Sequence, residues 1–575
     1  MKRYWKYIRP YIQYYILGPC FMMMEVVGDV LLPYMLAKII NQGIAERNVA
    51  YIIKIGAIMG LIAVIMAVGG VLGAWFASKA AMNFGADLRM DLFEKIQQFS
   101  FQNIDNFSTG SLITRLTNDI TQIQNMIMMT LRMCLRSPGI LIGAMVMAFV
   151  ISPKLAAIFI IVLPVLAVLI VVIMRRAFPQ FRTLQEKLDA LNSCIQEGLV
   201  GIRLIKSFVR GDYEEMRFEK RNQQLKEANL TAMKTMLLYT PLMTLALNIT
   251  TVVVVWSGGN MIVAGNMQVG DLTAFTNYIV QIMSSLTMLS IAFLNWARAI
   301  ASFRRVGEVL DEKIDLTDEN AKHKDRAVCE GSVEFQNVSF RYYKNSPEWV
   351  IENISFKLEA GKTLGIIGPT GSGKSTLVSM IPRLYDNDEG TVLVDGINVR
   401  DYGLKPLREG IGMVLQNNTL FSGSITENLK WGDEHADEKA VRKAAQNAQA
   451  AGFIDSFKDG YRTRLEQSGN NVSGGQKQRL CIARALLKCP KILILDDSTS
   501  AVDTATERAI REALHSEYKD MTKIIIAQRI RSVMDADEIL VLDNGKTAGF
   551  GTHEQLLADC PVYREIYDVQ NGREE

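Results

Sequence analysis

Apolar and polar positions divide this chain into two unlike halves. In the first, six apolar stretches lie near residues 15–40, 52–80, 135–152, 155–175, 238–264 and 272–297. Each is long enough to cross a hydrocarbon core of roughly 30 Å. The gaps between them alternate in size. Those near 41–51, 152–154 and 265–271 are short, whereas 81–134 and 176–237 are long, polar and rich in helix-forming residues. The pattern predicts six spanning helices, with the long gaps read as helices continuing beyond the bilayer. Two polar breaks, Asn103–Ser111 and Val209–Glu215, read as tips. Each is either a solvated turn or a short transverse helix set against a cytosolic partner.

Charge orients this half. The short gaps hold only Arg47 and Lys154 as cations, whereas twelve cations run from Arg175 to Lys234 in and at the edge of the fourth gap. By the positive-inside rule, the long gaps and both termini lie on the cytoplasmic side of the cell membrane. The first ten residues lack a short apolar core followed by small residues, and read as an amphipathic lead-in rather than a removable signal.

The second half follows a different pattern. Residues 311–330 are charged at 11 of 20 positions, which makes them a solvated connector. Strand alternation starts at Val333–Phe340, and an apolar strand, Thr363–Ile367, runs into Gly368-Pro369-Thr370-Gly371-Ser372-Gly373-Lys374-Ser375-Thr376, with a helix expected from Lys374. Strand, glycine-rich loop and helix in this order form a phosphate-cradling P-loop. Gly371 and Gly373 let backbone N–H groups approach phosphates, and the helix N-terminus favours anions. Lys374 is a point charge for the β- and γ-phosphates, and the Ser375 hydroxyl is a ligand for Mg²⁺. The apolar run Ile492–Leu495 ends in Asp496, a carboxylate placed to hold the metal's outer shell. The chain thus divides into 1–310, a connector at 311–330, and 331–575.

Composition refines the picture at a few points. Of the 28 methionines, 24 fall in residues 1–310. Together with Trp256, Phe275, Phe293 and Trp296, they either line a deformable pocket for apolar or amphipathic cargo or pack the helices. Glu25 and Asp29 stand at i,i+4 inside the first span, as a substrate or proton site or as a structural pair near an outer vestibule. Gly56/Gly60 and Gly69/Gly73 permit close helix approach. A net charge of +3 gives no case for nucleic-acid binding, and seven scattered cysteines lack metal-site spacing.

Asn471-Val472-Ser473-Gly474-Gly475-Gln476 resembles the signature loop of ATP-binding cassette (ABC) transporters, and other motifs match the same family. Tyr342 looks like the aromatic that stacks on adenine. Gln416 resembles the glutamine that touches Mg²⁺ and the membrane domain, and Ser500–Asp503 resembles the D-loop at the dimer interface. The resemblance covers essentially the whole chain. It implies an α-helical six-span transmembrane domain with two coupling loops, fused to an α/β P-loop ATP-binding cassette, with ATP and Mg²⁺ as ligands and lipid around the spans.

Two positions depart from the family pattern. Asp497 follows Asp496 where a glutamate usually positions the attacking water, and Gln528 stands where histidine is usual. Both would face one phosphate, while Ser473–Gln476 is intact. The resemblance therefore implies a degenerate-site subunit of a heterodimeric multidrug-type exporter, an ATP-hydrolysing translocase whose partner is a homologous half-transporter with a competent site. The alternatives are a homodimeric exporter, an importer with exporter architecture, or an ATP-gated membrane regulator. No peptidase-like segment precedes the first span, which makes peptide cargo the less expected class.

Overall fold

This computed structural model describes residues 2–344 and 346–572; the side chains of 2, 290, 291, 293–295, 297, 298 and 571 lie outside the description. The chain forms two compact units, residues 1–95 with 110–311, and residues 96–109 with 312–575.

Long helices build the first unit. Val49–Gln97 runs for 49 residues and Ile158–Val200 for 43. At 1.5 Å per residue the longer spans about 74 Å, more than twice a bilayer core, as the polar continuation of its sequence predicts. Among the described residues, five helical segments are long and apolar enough to cross a membrane: Trp5–Ile44, Val49–Gln97, Thr109–Ile151, Pro153–Val200 and Gly211–Val263. The sixth expected stretch falls in Val269–Asp311, another 43-residue helix, several of whose side chains, Phe293 included, are among those not described. On Val49–Gln97, Leu61, Val64, Val68, Val71 and Trp75 are exposed at helical spacing. An apolar stripe turned outward is what lipid, rather than water, accommodates.

The interior of this unit uses small residues and paired charges. A Cβ on Gly69 would sit 3.1 Å from the Phe21 carbonyl oxygen, and one on Gly73 the same distance from that of Gly18. These glycines seat Val49–Gln97 against the helix Ile12–Lys38. Gly56 and Gly60 have nothing within 4 Å of such a Cβ, so that pair makes no close approach. Glu25 and Asp29 share one cation: Arg136 lies 2.8 Å from Glu25 and 3.4 Å from Asp29. Deeper along the bundle, Asp119 ends a π-helical turn, Arg115–Asp119. Its fully buried carboxylate accepts from Ser302 Oγ at 2.8 Å and Arg305 Nε at 2.8 Å.

The two expected tips differ. Helix Phe101–Asp105 forms where a transverse helix was one of the readings, opened by a capping box between Ser100 and Asn103. The second break lies earlier than 209–215. A short helix, Ile202–Ser207, precedes it, and Asp212–Glu215 already form the first turn of Gly211–Leu237, where acidic side chains suit the helix N-terminus.

The second unit is an α/β body. Its strands are β1 (Val333–Phe340), β2 (Ile351–Leu358), β3 (Thr363–Ile367), β4 (Glu389–Val394), β5 (Ile397–Asn398), β6 (Ile411–Val414), β7 (Gly423–Ser424), β8 (Arg464–Leu465), β9 (Ile492–Asp496), β10 (Thr522–Ile526), β11 (Glu538–Asp543) and β12 (Lys546–Gly551). The central sheet has the order β12-β11-β3-β10-β9-β6, parallel except for the edge strand β12. A second sheet, β2-β1-β4-β5, is antiparallel, and β7 pairs with β8. β9 and β10 are buried at every position, as strands covered on both faces must be.

Candidate functional site

The site forms at the carboxyl ends of β3 and β9, where open parallel sheets bind ligands. β3 leads into the loop 368–373, and the helix Lys374–Ser379 follows. Two loop glycines occupy the left-handed region, Gly371 at φ +86° and Gly373 at φ +90°. A Cβ on Gly373 would also sit 2.9 Å from the Val350 carbonyl oxygen, so this position needs glycine on both counts. Beside Gly371, the space that a Cβ would take is open.

Lys374 Nζ donates to the carbonyl oxygens of Gly368 at 2.8 Å and Pro369 at 2.7 Å. Burial pulls its pKa below the ordinary lysine value, with Asp497 and Asp496 pulling the other way. Ser375 Oγ donates to Asp496 Oδ1 at 3.0 Å. Burial raises the Asp496 carboxyl, against the Ser375 hydrogen bond. A hydroxyl and a buried carboxylate side by side are hard oxygen donors, and this donor set fits Mg²⁺. The cationic lysine and the open loop fit a nucleotide's phosphates.

Asp497 has φ +47°, a left-handed conformation that aspartate tolerates better than longer side chains. Its N–H bonds the Ile526 carbonyl at 3.1 Å, tying the end of β9 to β10. Its Oδ2 accepts from Gln528 Nε2 at 2.8 Å. Burial raises this carboxyl too, with Gln528, Lys374 and Arg529 acting to lower it. The two positions singled out as departures therefore touch each other. Gln570 Nε2 donates to the Gln528 carbonyl at 2.7 Å and steadies that segment, a contact with no signal in the sequence.

Tyr342 joins the same end of the unit. Its hydroxyl and that of Thr376 lie 2.8 Å apart, and its ring meets Phe340 and Tyr385 edge-on at 5.1 and 5.3 Å. Gln416 is exposed, two residues beyond β6. The parallel pairing of Val414 with Leu495 puts its loop at the same sheet end as Asp496.

Ser473, Gly474, Gly475, Gln476 and Asp503 form a second constellation. Ser473 caps the helix Gly474–Leu487 through a reciprocal box with Gln476. Gln478 accepts from Ala501 N–H at 3.0 Å and donates to Ser500 Oγ at 3.3 Å, locking the 500–503 loop to that helix. Asp503 caps the next helix, Thr504–Glu517, by accepting from Thr506 N–H at 3.0 Å. Sequence reasoning missed Arg136, Gln478 and Tyr385. Tyr385 carried no signal beyond being an aromatic shortly after the helix Lys374–Ser379.

Comparison with known proteins agrees with this architecture. A family described as ABC transporter transmembrane region matches residues 15–286, and one described as ABC transporter matches residues 351–500. The uncharacterized ABC transporter ATP-binding protein YfiB of Bacillus subtilis (strain 168) is 39% identical, over 100% of this chain and 99% of its own length. The putative multidrug export ATP-binding/permease protein YgaD of the same organism is 33% identical over 99% of both chains. A solved structure of a bacterial Atm1-family ABC exporter with ATP bound superimposes with a TM-score of 0.81, at 24% identity and 99% coverage of each chain. That likeness shows the fold.

Proposed function

Since the chain belongs to the ABC transporter family, we propose that it is the degenerate-site half of a heterodimeric exporter driven by ATP. Residues 1–310 form its membrane domain with six spans and two coupling tips, 311–330 the connector, and 331–575 the cassette, with both termini in the cytoplasm. Its partner is a homologous half-transporter with a competent site, and its cargo is apolar or amphipathic. The similarity to YgaD, a putative multidrug export ATP-binding/permease protein, supports that class of cargo.

In this reading, Tyr342 stacks on adenine, the loop from Gly368 to Gly373 lines the phosphates, and Lys374 neutralises them. Mg²⁺, when bound, is held by Ser375 and Asp496 with Gln416 beside them, and supplies charge neutralisation at the phosphates. ATP closes the two cassettes on each other, and the tips pass closure to the spans, shifting the cavity from inward-open to outward-open. Ser473–Gln476 and Asp503 of this chain complete the partner's site, where hydrolysis resets the cycle.

One observation carries the degenerate assignment: the 2.8 Å hydrogen bond from Gln528 to Asp497. A general base must face the water it activates. Here the carboxylate is one methylene short, about 1.5 Å further back, and catalysis is sensitive to displacements of that size. It also spends one oxygen on an amide that has no imidazole chemistry to offer. ATP binds and hydrolysis is slow.

The test is the ATPase rate of the full chain in lipid, beside Asp497→Glu combined with Gln528→His. A near-zero rate that rises at least tenfold in the double variant supports the reading. A brisk wild-type rate refutes it and favours a homodimer.

A further inference from the structure

Tyr385 stands between two elements that the sequence treats as unrelated. It follows the P-loop helix after a turn in which Arg383, almost fully buried, bonds Asp386 at 2.8 Å and so fixes the backbone on either side. The Tyr385 hydroxyl donates to Asp105 Oδ2 at 2.8 Å, at the end of the tip helix Phe101–Asp105. Its ring meets Phe101 of that helix edge-on at 5.9 Å and 63°. On its other side the same ring meets Tyr342 at 5.3 Å and 84°. Phe340 completes the cluster, 5.5 Å from Tyr385 and 5.1 Å from Tyr342.

The two ends of this chain of contacts are anchored independently. Tyr342 is pinned through its hydroxyl to Thr376, two residues past Lys374, while 37% of its surface stays exposed. The tip helix is held by Asn103, which is buried and donates to Glu312 Oε1 at 3.1 Å and the Lys313 carbonyl at 2.9 Å. Removing Tyr385 therefore leaves each end in place and takes away only what joins them. Burial, and then the Asp105 carboxylate, push the Tyr385 hydroxyl above its ordinary pKa, so it stays an O–H donor at any physiological pH.

We propose that Tyr385 is a positioning residue that joins the adenine platform Tyr342 to the tip helix Phe101–Asp105, so that the tip reads the base of the nucleotide separately from its phosphates. This rests on the proposal that Tyr342 stacks on adenine. Edge-to-face aromatic contacts have energetic worth only within a narrow range of distance and tilt. A base settling on Tyr342 fixes the plane of that ring, and Tyr385 must follow it or lose contact. Its hydroxyl carries the adjustment to Asp105. Phosphates alone engage Lys374 and the loop, which make no hydrogen bond or ring contact with Tyr385 among the described residues.

The experiment uses the full chain in lipid, with ATP and inorganic tripolyphosphate as paired probes. Hydrogen exchange is followed at the amides of residues 101–107, and equilibrium binding of both probes is measured on the same samples. In the wild type, ATP changes exchange across 101–107 at least threefold more than tripolyphosphate does. Tyr385→Leu reduces the ATP response to that of tripolyphosphate while ATP affinity moves by less than about threefold. Tyr385→Phe, which keeps the ring and loses only the bond to Asp105, retains an intermediate response and guards against a folding defect. A merely structural tyrosine would alter exchange equally with either probe. The relay is overturned if Tyr385→Leu keeps the full ATP response, or if the wild type responds equally to both probes. Tyr342→Ala separates the two readings. If it leaves the preference for ATP over tripolyphosphate unchanged, the platform fails and the relay with it. If it removes that preference while Tyr385→Leu keeps the ATP response, the relay alone fails.

Discussion

Gly474 and Gly475 open the same helix, yet their surroundings predict opposite responses to one added methyl group. A Cβ on Gly474 would meet only the Ala501 Cβ, at 3.8 Å, an ordinary contact. A Cβ on Gly475 would lie 2.8 Å from the Ala501 carbonyl oxygen, closer than carbon and oxygen can sit. That carbonyl cannot withdraw freely, because the N–H of the same residue is bonded to Gln478. Replacing a helical glycine by alanine stabilises by about 0.5–1 kcal/mol, somewhat less in a first turn. Overpacking costs about 1–3 kcal/mol. Gly474→Ala should therefore gain about 0.5 kcal/mol, and Gly475→Ala should lose about 1 kcal/mol net. For a domain of roughly 250 residues, the loss lowers the midpoint of thermal unfolding by about 2–4 °C and the gain raises it by 1–2 °C. Scanning calorimetry of the full chain reads both shifts in the cassette transition. Amide exchange adds a local readout, rising at residues 500–503 in Gly475→Ala only. A Gly475→Ala variant as stable as the wild type, with quiet exchange at 500–503, would refute the packing of the helix Gly474–Leu487 on the 500–503 loop.

Two further outcomes test other parts of the chain. Arg136→Leu leaves Glu25 and Asp29 without their cation inside a span; it should cost about 3 kcal/mol, seen as a lower thermal midpoint, and adding Glu25→Gln with Asp29→Asn should recover most of the loss. A harmless Arg136→Leu would remove the structural role of the triad. In the cassette, burial acts to raise the Asp537 carboxyl, but the Thr363 N–H and Lys362 hold it below the ordinary carboxylate value. A depressed carboxyl stabilises above its unfolded pKa and loses that contribution as pH falls through its folded one. Unfolding free energies of wild type and Asp537→Asn, measured in urea, should thus differ at pH 6 by no more than about 0.5 kcal/mol, because the pair is exposed, and the difference should shrink as pH falls below about 4.

Much of the second unit was legible because its signals are local. Thr363–Ile367 and Ile492–Asp496 are short apolar runs bounded by turn residues, and Val333–Phe340 alternates; each appears as a strand with the bounds its pattern suggested. The order of strand, glycine-rich loop and helix from Thr363 to Ser379 was legible because its glycines and lysine stand at fixed spacing right after an apolar run. Contacts between distant parts of the chain were not. Glu25 and Asp29 could be flagged as costly, but nothing in their own span names Arg136 as their partner. Asp497 and Gln528 could be flagged as departures, but their hydrogen bond depends on the register of β9 against β10. The π-helical turn at Arg115–Asp119 and the earlier start of the second tip both lie inside sequence that reads as uninterrupted helix. Of the two glycine pairs, only one touches a neighbour, because spacing alone does not say which face of a helix is turned inward.

Residues 96–109 belong with a body whose remainder begins at residue 312, and this separation sets a clock on biosynthesis. Asp105 and Tyr385 are 280 residues apart in the chain. At roughly 5–20 residues per second, a ribosome needs about 15–55 s to deliver the second after the first. For that interval the tip, with Phe99 and Phe107 stacked at 5.9 Å and Phe101 near them in sequence, has emerged while the surface that will receive it does not yet exist. The capping box at Ser100 and Asn103 gives that waiting segment hydrogen bonds of its own. Early synthesis of the membrane-spanning half therefore commits the cell to shielding an aromatic cluster until the nucleotide-binding half has been made.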